Sequence, residues 1–128
     1  MKLRANVVKS CLKKDHDTHG WSLDLHMKDI PSIDNLPDFL TASEIFNLDL
    51  SYNYLKQIEP TFSVFSNLKW LDLSANHIKW IENLDYLHNL EFLNLSTNNI
   101  SQIDNLFSLS SLTVLVTIFF NLIIFKES

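Results

Sequence analysis

Glycine, cysteine and proline are scarce in this chain of 128 residues, which contains one glycine, one cysteine and three prolines. A single glycine (Gly20) cannot supply the G-x-G-x-x-G dinucleotide fingerprint or the G-x-x-x-x-G-K-[ST] phosphate loop. A single cysteine (Cys11) excludes an intramolecular disulfide framework and a zinc site built from several cysteines. Few glycines also argue against many tight hairpins, whose turns need positive φ. Most nucleotide-dependent enzymes and small disulfide-rich folds are therefore excluded.

Charge is distributed unevenly along the chain. Fifteen acidic and ten basic residues give a formal net charge of −5, although five of the basic residues fall within residues 1–20. Because binding to duplex nucleic acid needs a clustered basic face, we expect no direct nucleic acid contact from the acidic remainder. No apolar run of seven or more residues follows the basic N-terminus, so no secretory signal is predicted. The expected location is intracellular, either cytoplasmic or nuclear.

An internal repeat dominates the middle of the chain. Three segments share the pattern L-x-x-L-x-L-x-x-N-x-[LI], with Ile allowed at the first position: Ile45–Leu55, Leu68–Ile78 and Leu90–Ile100. Within the second segment, alternation points Leu71 and Leu73 to one side of a short strand and Asp72 to the other. One repeat cannot bury its leucines alone, so we expect neighbouring repeats to stack and their strands to form a parallel sheet. The asparagines of the pattern follow the strands, where their amides can bond the backbone of each turn. They are predicted to stack as a structural ladder of Asn53, Asn76 and Asn98.

This pattern resembles the leucine-rich repeat family over roughly residues 21–117. Its 22-residue period is similar to the short intracellular subclass, as in phosphatase-1 regulatory subunit and spliceosomal A-prime type proteins. The resemblance implies an α/β fold, namely a leucine-rich repeat solenoid with a curved parallel sheet, one short strand per repeat and an N-terminal helical cap. It also implies a non-enzymatic protein-binding module that acts as a scaffold or regulatory subunit.

The two ends of the chain depart from the repeat. We predict a basic helical cap and linker over residues 1–20, repeats over 21–111, and a degenerate final repeat or hydrophobic tail over 112–128; the cap helix is expected at residues 3–14. No charged residue lies between Phe107 and Phe125. Three interpretations of this end stay open: a final strand and cap, a truncated or alternative product, and a membrane anchor. The anchor is disfavoured because a span of about 20 residues is reached only by including serines and threonines. Self-association through residues 112–128 is predicted from their uncharged, β-prone composition.

The outward positions of the strands form rows on the concave face, by which we mean the side of the sheet that carries them. We expect a protein partner to contact Asp24, Asn47, Asp49, Trp70, Asp72, Phe92 and Asn94. Trp70 and Phe92 put large aromatics on an exposed surface, which is typical of binding hot spots. Asp24, Asp49 and Asp72 would lie about 4.8 Å apart and repel one another unless solvated or met by a basic partner. The predicted partner therefore carries a basic or apolar segment. The alternative is a solvated polar face on which the two aromatics pack together.

No catalytic, metal or cofactor site is expected. Hard cations need converging oxygens, which a flat row of strands is predicted not to supply. General acid–base chemistry needs a pocket around paired groups, and the sequence marks none. The polar residues 15–19 are interpreted as a solvated linker, and Trp80 is predicted to pack over the convex spine beside Ile81.

Two alternative functions remain. A ribonucleoprotein scaffold is implied by the likeness of the N-terminal residues to spliceosomal A-prime proteins. That likeness runs from Met1-Lys-Leu through Leu23-Asp-Leu25 to Ile30-Pro-Ser-Ile33-Asp-Asn-Leu36. A membrane-tethered adaptor would instead use the C-terminal apolar segment, as the disfavoured anchor interpretation requires.

Overall fold

The structure, a computed structural model, describes residues 3–17, 19–38, 40–117 and a strand at 123–125. Its elements in chain order are a short helix α1 (Ala5–Ser10), then β1 (Leu12–Lys14), β2 (Trp21–Asp24), β3 (Ile45–Asp49), β4 (Trp70–Asp72), β5 (Phe92–Asn94), β6 (Val114–Val116) and β7 (Ile123–Phe125). Two 3-10 helices, Ala42–Glu44 and Pro60–Val64, lie in the connections.

One sheet joins these strands side by side, in the order in which they occur along the described part of the chain. The strands β2 to β6 are parallel, and the central leucine of each pairs with the central leucine of the next. These leucines are Leu23, Leu48, Leu71, Leu93 and Leu115. All five are buried, as the alternating pattern requires. The predicted solenoid with one short parallel strand per repeat is confirmed.

Apolar residues in the second half of each repeat complete the core behind the sheet. Ile58 and Ile81 are buried there, whereas Ile103 in a later repeat is 41% exposed. Phe62 and Phe65 fill the space behind the second repeat and pack on each other. Burial therefore weakens toward the C-terminal end of the stack.

The turn after each strand uses left-handed backbone without glycine. Met27, Tyr52, Ala75 and Thr97 occupy equivalent positions, and each has a φ of 53° to 55°. In the repeats of the predicted ladder, this residue directly precedes the asparagine. A left-handed conformation costs a residue with a Cβ roughly 1–2 kcal/mol, so the surrounding bonds must hold it in place. The scarcity of glycine therefore argued correctly against tight hairpins. It did not mean that positive φ is absent, because residues other than glycine adopt it here.

The N-terminal cap differs from the predicted helix over residues 3–14. The helix α1 ends at Ser10, and Leu12 instead pairs with Leu23 as β1 runs antiparallel to β2. The chain leaves the helix because β2 is the edge of the repeat sheet, and its backbone N–H and C=O groups gain partners when β1 pairs with it. The apolar side of the segment is still used, because Val8 is fully buried and Leu3 is 9% exposed.

The C-terminal edge of the repeat sheet is also paired. The strand β7 runs antiparallel to β6, with Ile124 opposite Leu115. This arrangement favours the interpretation of a final strand and cap. The rest of the tail predicted to self-associate, residues 118–122 and 126–128, lies outside the described residues. In the described ranges, no helix has the length and apolar character needed to cross a membrane.

Candidate protein-binding face

The strand register brings the seven predicted partner-binding residues onto one side of the sheet. One row pairs Ser22, Asn47, Trp70, Phe92 and Val114 in succession. The next row pairs Asp24, Asp49, Asp72, Asn94 and Val116. The outward side chains of these rows are half-buried, except for Asp24, which is exposed. The concave face is therefore polar and acidic on the N-terminal side and apolar at β6.

Two aromatic rings stack at the centre of this face. The centroids of Trp70 and Phe92 lie 5.2 Å apart, and the ring planes differ by 6°. On the side of Trp70 away from Phe92, an open depression of about 400 Å³ is lined by Trp70, Asp24, Asn47 and Asp49 among others. Stacking holds the indole in one orientation, so an aromatic wall stands beside two carboxylates.

The carboxylates of this face are also structural, which the sequence reasoning did not foresee. Asp49 Oδ1 accepts hydrogen bonds from the backbone N of Ser51 (2.9 Å) and from its Oγ (2.6 Å). The same two bonds recur in the next repeats, from Ser74 to Asp72 (2.8 and 2.6 Å) and from Ser96 to Asn94 (3.0 and 2.7 Å). Because Asn94 makes them with a neutral amide, the turn needs an acceptor at this position but no charge. The repeated Asp/Asn-Leu-Ser tripeptide was the signal that could have revealed this.

The first repeat replaces serine with a histidine. His26 Nδ1 lies 2.5 Å from Asp24 Oδ1, and both side chains are about half exposed. The hydrogen bond to Asp24, together with its charge, raises the pKa of His26 above its ordinary value. Partial burial opposes ionisation of Asp24, but the hydrogen bonds from His26 outweigh it and lower the pKa of the carboxyl.

Asp24, His26 and Asp49 lie together on the N-terminal side of the concave face. Ligand atoms of these three residues lie within 4.8 Å of one another, the one such grouping in the described part of the chain. This grouping brings together two carboxylates and one imidazole, which is fewer oxygens than a hard cation needs. Asp24 Oδ1 bonds His26, and Asp49 Oδ1 bonds Ser51.

The predicted ladder asparagines lie in the turns and link each repeat to the one before it. Asn76 Nδ2 donates to the carbonyls of Leu73 (3.1 Å) and Ser74 (3.2 Å) in its own turn, and to Leu50 O (2.9 Å) in the preceding repeat. Its Oδ1 accepts from the backbone N of Leu55 at 3.0 Å. Equivalent bonds are made by Asn53 and Asn98.

Known proteins share this arrangement. A sequence model of leucine-rich repeats, in two copies, matches residues 66–108. A chain of the Drosophila melanogaster SNF/U2A' complex is similar in structure, with a TM-score of 0.64 and 28% sequence identity over 91% of this chain and 67% of that one. Residues 66–108 of the chain are therefore similar to leucine-rich repeats. The similarity to the spliceosomal A-prime type, expected from the sequence, is confirmed by the same structure. No curated protein sequence matches the chain significantly.

This leucine-rich repeat protein has a second set of polar links, on its convex side. Asn83 Nδ2 donates to Ile58 O (2.7 Å), and Asn105 Nδ2 donates to Ile81 O (2.8 Å). Each of these asparagines lies two residues after an isoleucine of the convex side, Ile81 or Ile103. This spacing could have predicted the links from the sequence.

Glu59 makes the corresponding link between the first two repeats of the protein. Its side chain is 4% exposed, and its oxygens accept from the backbone N of Ile33 (2.9 Å) and from Ser32 Oγ (2.7 Å). Burial raises the pKa of Glu59, and a hydrogen bond to Asp34 raises it further. That hydrogen bond, with another from Thr61, lowers the pKa of Asp34. Of the two carboxyls, Glu59 therefore has the raised pKa and Asp34 the lowered one.

Trp80 does not cover the spine of the leucine-rich repeat protein. It is 59% exposed, because the neighbouring Ile81 takes the buried position and turns Trp80 outward. The prediction that it packs beside Ile81 is wrong. Tyr54, which is also exposed, stacks on His77 in the next repeat, with centroids 6.1 Å apart.

Proposed function

We propose that this leucine-rich repeat protein is a non-enzymatic scaffold that binds a protein partner on its concave face. The observation that carries the proposal is the aromatic wall of Trp70 and Phe92 beside a depression lined by Asp24 and Asp49. Large aromatics that can be covered by a partner are typical of interface hot spots. The similar Drosophila chain comes from a complex of U2A' with the protein SNF, which supports a protein partner for this chain as well.

The chemistry of the depression favours a basic side chain. An arginine could lay its planar guanidinium on the indole of Trp70 and direct its N–H groups at Asp24 or Asp49. Both hydrogen bonds from Ser51 are accepted by Asp49 Oδ1, and a carboxylate has about four lone-pair sites, so acceptor capacity remains for such a partner. Toward β6 the face changes to Val114 and Val116, which suit an apolar part of the same segment.

A finer assignment is a ribonucleoprotein scaffold in the nucleus, with a role like that of U2A'. It is supported by the similarity to a chain of the SNF/U2A' complex. In that role the concave face would hold a protein, and the protein would contact RNA. Treatment of the assembled complex with RNase distinguishes the two contacts: a partner held through protein stays bound, and a partner held through RNA is released.

Calorimetric titration with purified SNF protein tests the binding face. The variant Trp70→Ala is expected to weaken binding by about thirtyfold, since a buried hot-spot aromatic contributes about 2 kcal/mol. The double variant Asp49→Asn/Asp72→Asn should also bind more weakly, and it keeps the acceptors that the turns need, as Asn94 shows.

The matched control is Trp80→Ala, which removes an exposed tryptophan away from the concave face and should leave the affinity unchanged. Circular dichroism checks that each variant is folded. Equal affinities for the wild type, Trp70→Ala and the double Asn variant would contradict the proposal.

A further inference from the structure

A second surface lies at the edge of the solenoid, where the loops leave the C-terminal ends of the strands. We call it the aromatic–lysine edge, and all of its members are exposed: Tyr52, Tyr54, Lys56, His77, Lys79 and Trp80. None of them belongs to the concave rows. More than half of the surface of each of the three large aromatics, Tyr52, Tyr54 and Trp80, is open to solvent.

The charge of this edge is opposite to that of the protein. The four equivalent loops, residues 26–32, 51–57, 74–80 and 96–102, contain three lysines and one aspartate. The chain as a whole has a formal net charge of −5. Lys56 and Lys79 are one repeat apart, so they lie at the same position in consecutive turns of the solenoid. A small basic patch therefore stands on an acidic molecule.

Two rings on this edge, those of Tyr54 and His77, are held against each other before any partner arrives. Tyr54 and His77 stack with an angle of 14° between their planes. Their backbones are fixed by bonds to the preceding repeat, from Tyr54 N to Ile30 O (2.9 Å) and from His77 N to Leu55 O (2.8 Å). A preorganised aromatic surface loses little conformational entropy on binding, which favours association.

We infer that the aromatic–lysine edge binds an acidic segment of a second protein. Apolar side chains of that segment pack on Tyr54 and Trp80, and its carboxylates meet Lys56 and Lys79. Two observations favour a protein over a nucleic acid. Tyrosine and tryptophan are enriched at protein hot spots, and the net negative charge repels the dense phosphates of a polyanion more than a few carboxylates. The protein would then join two partners of opposite charge, one on the concave face and one on the edge.

The test uses the full chain labelled with ¹⁵N and a short peptide of glutamates and aspartates that contains one leucine and one phenylalanine. The indole N–H of Trp80 is expected to shift on titration, while that of Trp70 on the concave face stays in place. The variant Lys56→Glu/Lys79→Glu is expected to reduce affinity by at least about tenfold, since two favourable charge contacts become repulsive. Raising the salt concentration should weaken binding of the wild type.

The matched control is Lys9→Glu/Lys13→Glu, which changes the net charge equally but alters exposed lysines of the N-terminal cap. It should bind the peptide nearly as well as the wild type, apart from the long-range effect of the changed net charge. Three outcomes would overturn the inference. They are no binding of the peptide, a shift of Trp70 in place of Trp80, and tighter binding of a single-stranded RNA oligonucleotide at the same residues.

Discussion

At the scale of single residues, the one glycine is required for packing. Gly20 has no positive φ, so its backbone conformation is open to other residues. A Cβ built at Gly20 would lie 2.3 Å from Cγ of Phe46, well inside contact distance. The Phe46 ring is held from elsewhere too, because Lys69 Nζ lies 5.4 Å from its centroid. The sequence could not predict this contact, since it depends on how β2 pairs with β3.

The variant Gly20→Ala should therefore lower the free energy of unfolding, by about 1–3 kcal/mol as is usual for overpacked sites. Urea denaturation measures the change. The same substitution made in a Phe46→Leu background should cost less, because the smaller side chain leaves room for the new Cβ. The relevant comparison is therefore Gly20→Ala/Phe46→Leu against Phe46→Leu alone. Unchanged stability in Gly20→Ala would show that the ring moves away freely.

Glu59 predicts a specific pH dependence. Its pKa is raised in the folded state, so the folded protein holds this proton more tightly than the unfolded chain does. The resulting stabilisation is present below the ordinary pKa of a glutamate and is lost as the pH rises through the raised pKa. Glutamine keeps an oxygen for the N–H of Ile33 but does not titrate. The free energy of unfolding of Glu59→Gln, relative to the wild type, should thus increase as the pH rises from the ordinary pKa of a glutamate through the raised pKa of Glu59. If the free energy of unfolding changed equally with pH in the wild type and in Glu59→Gln, this role of Glu59 would be contradicted.

At the scale of elements, the strands and their register follow from the L-x-L alternation and the repeat length. The sequence could also place the asparagines in the turns, because their spacing is fixed. It could not give the end of α1, since helix propensity competes there with pairing to the edge of β2. The bonds from Ser51 to Asp49 and from Ser74 to Asp72 could have been predicted from the repeated Asp-Leu-Ser tripeptide.

Asn76 tests the ladder between turns. Replacing it with alanine leaves the buried N–H of Leu55 and several carbonyls without their partner, and should cost about 2–4 kcal/mol of stability. Asn99→Ala, at an exposed asparagine of the following repeat, is the control and should change stability by less than about 0.5 kcal/mol. Denaturation curves compare the two, and equal stabilities would exclude a structural role for the ladder.

Ala75 tests the left-handed turn. Its φ is 54°, so Ala75→Gly relieves backbone strain. Glycine also gives the unfolded chain more conformational entropy, which opposes this gain. The net effect should be an increase of about 0.5–1 kcal/mol in the free energy of unfolding. Ala42, in a 3-10 helix, has no positive φ, and Ala42→Gly should destabilise by a similar amount. Thermal melts of the two glycine variants should therefore shift in opposite directions; a lower melting temperature for both would refute the argument.

At the scale of the whole molecule, stacked repeats place two surfaces of opposite character on one small protein. The acidic concave face comes from outward strand positions, and these could be predicted from the sequence as rows. The depression beside Trp70 could not, because it depends on the stacking with Phe92. The aromatic–lysine edge was also hidden, since its residues are dispersed over loops and only the solenoid brings them together. Both edges of the repeat sheet are covered by an antiparallel strand, β1 at one end and β7 at the other.

Site-specific photo-crosslinking to purified SNF protein tests whether the concave face holds the partner. Benzoylphenylalanine placed at position 92 keeps the phenyl ring of the native residue, extended by a benzoyl group, and lies on the face beside Trp70. The same group placed at position 80 lies on the aromatic–lysine edge. A covalent product with SNF is expected from position 92 and none from position 80. A product from position 80 alone, or from neither position, would contradict binding on the concave face.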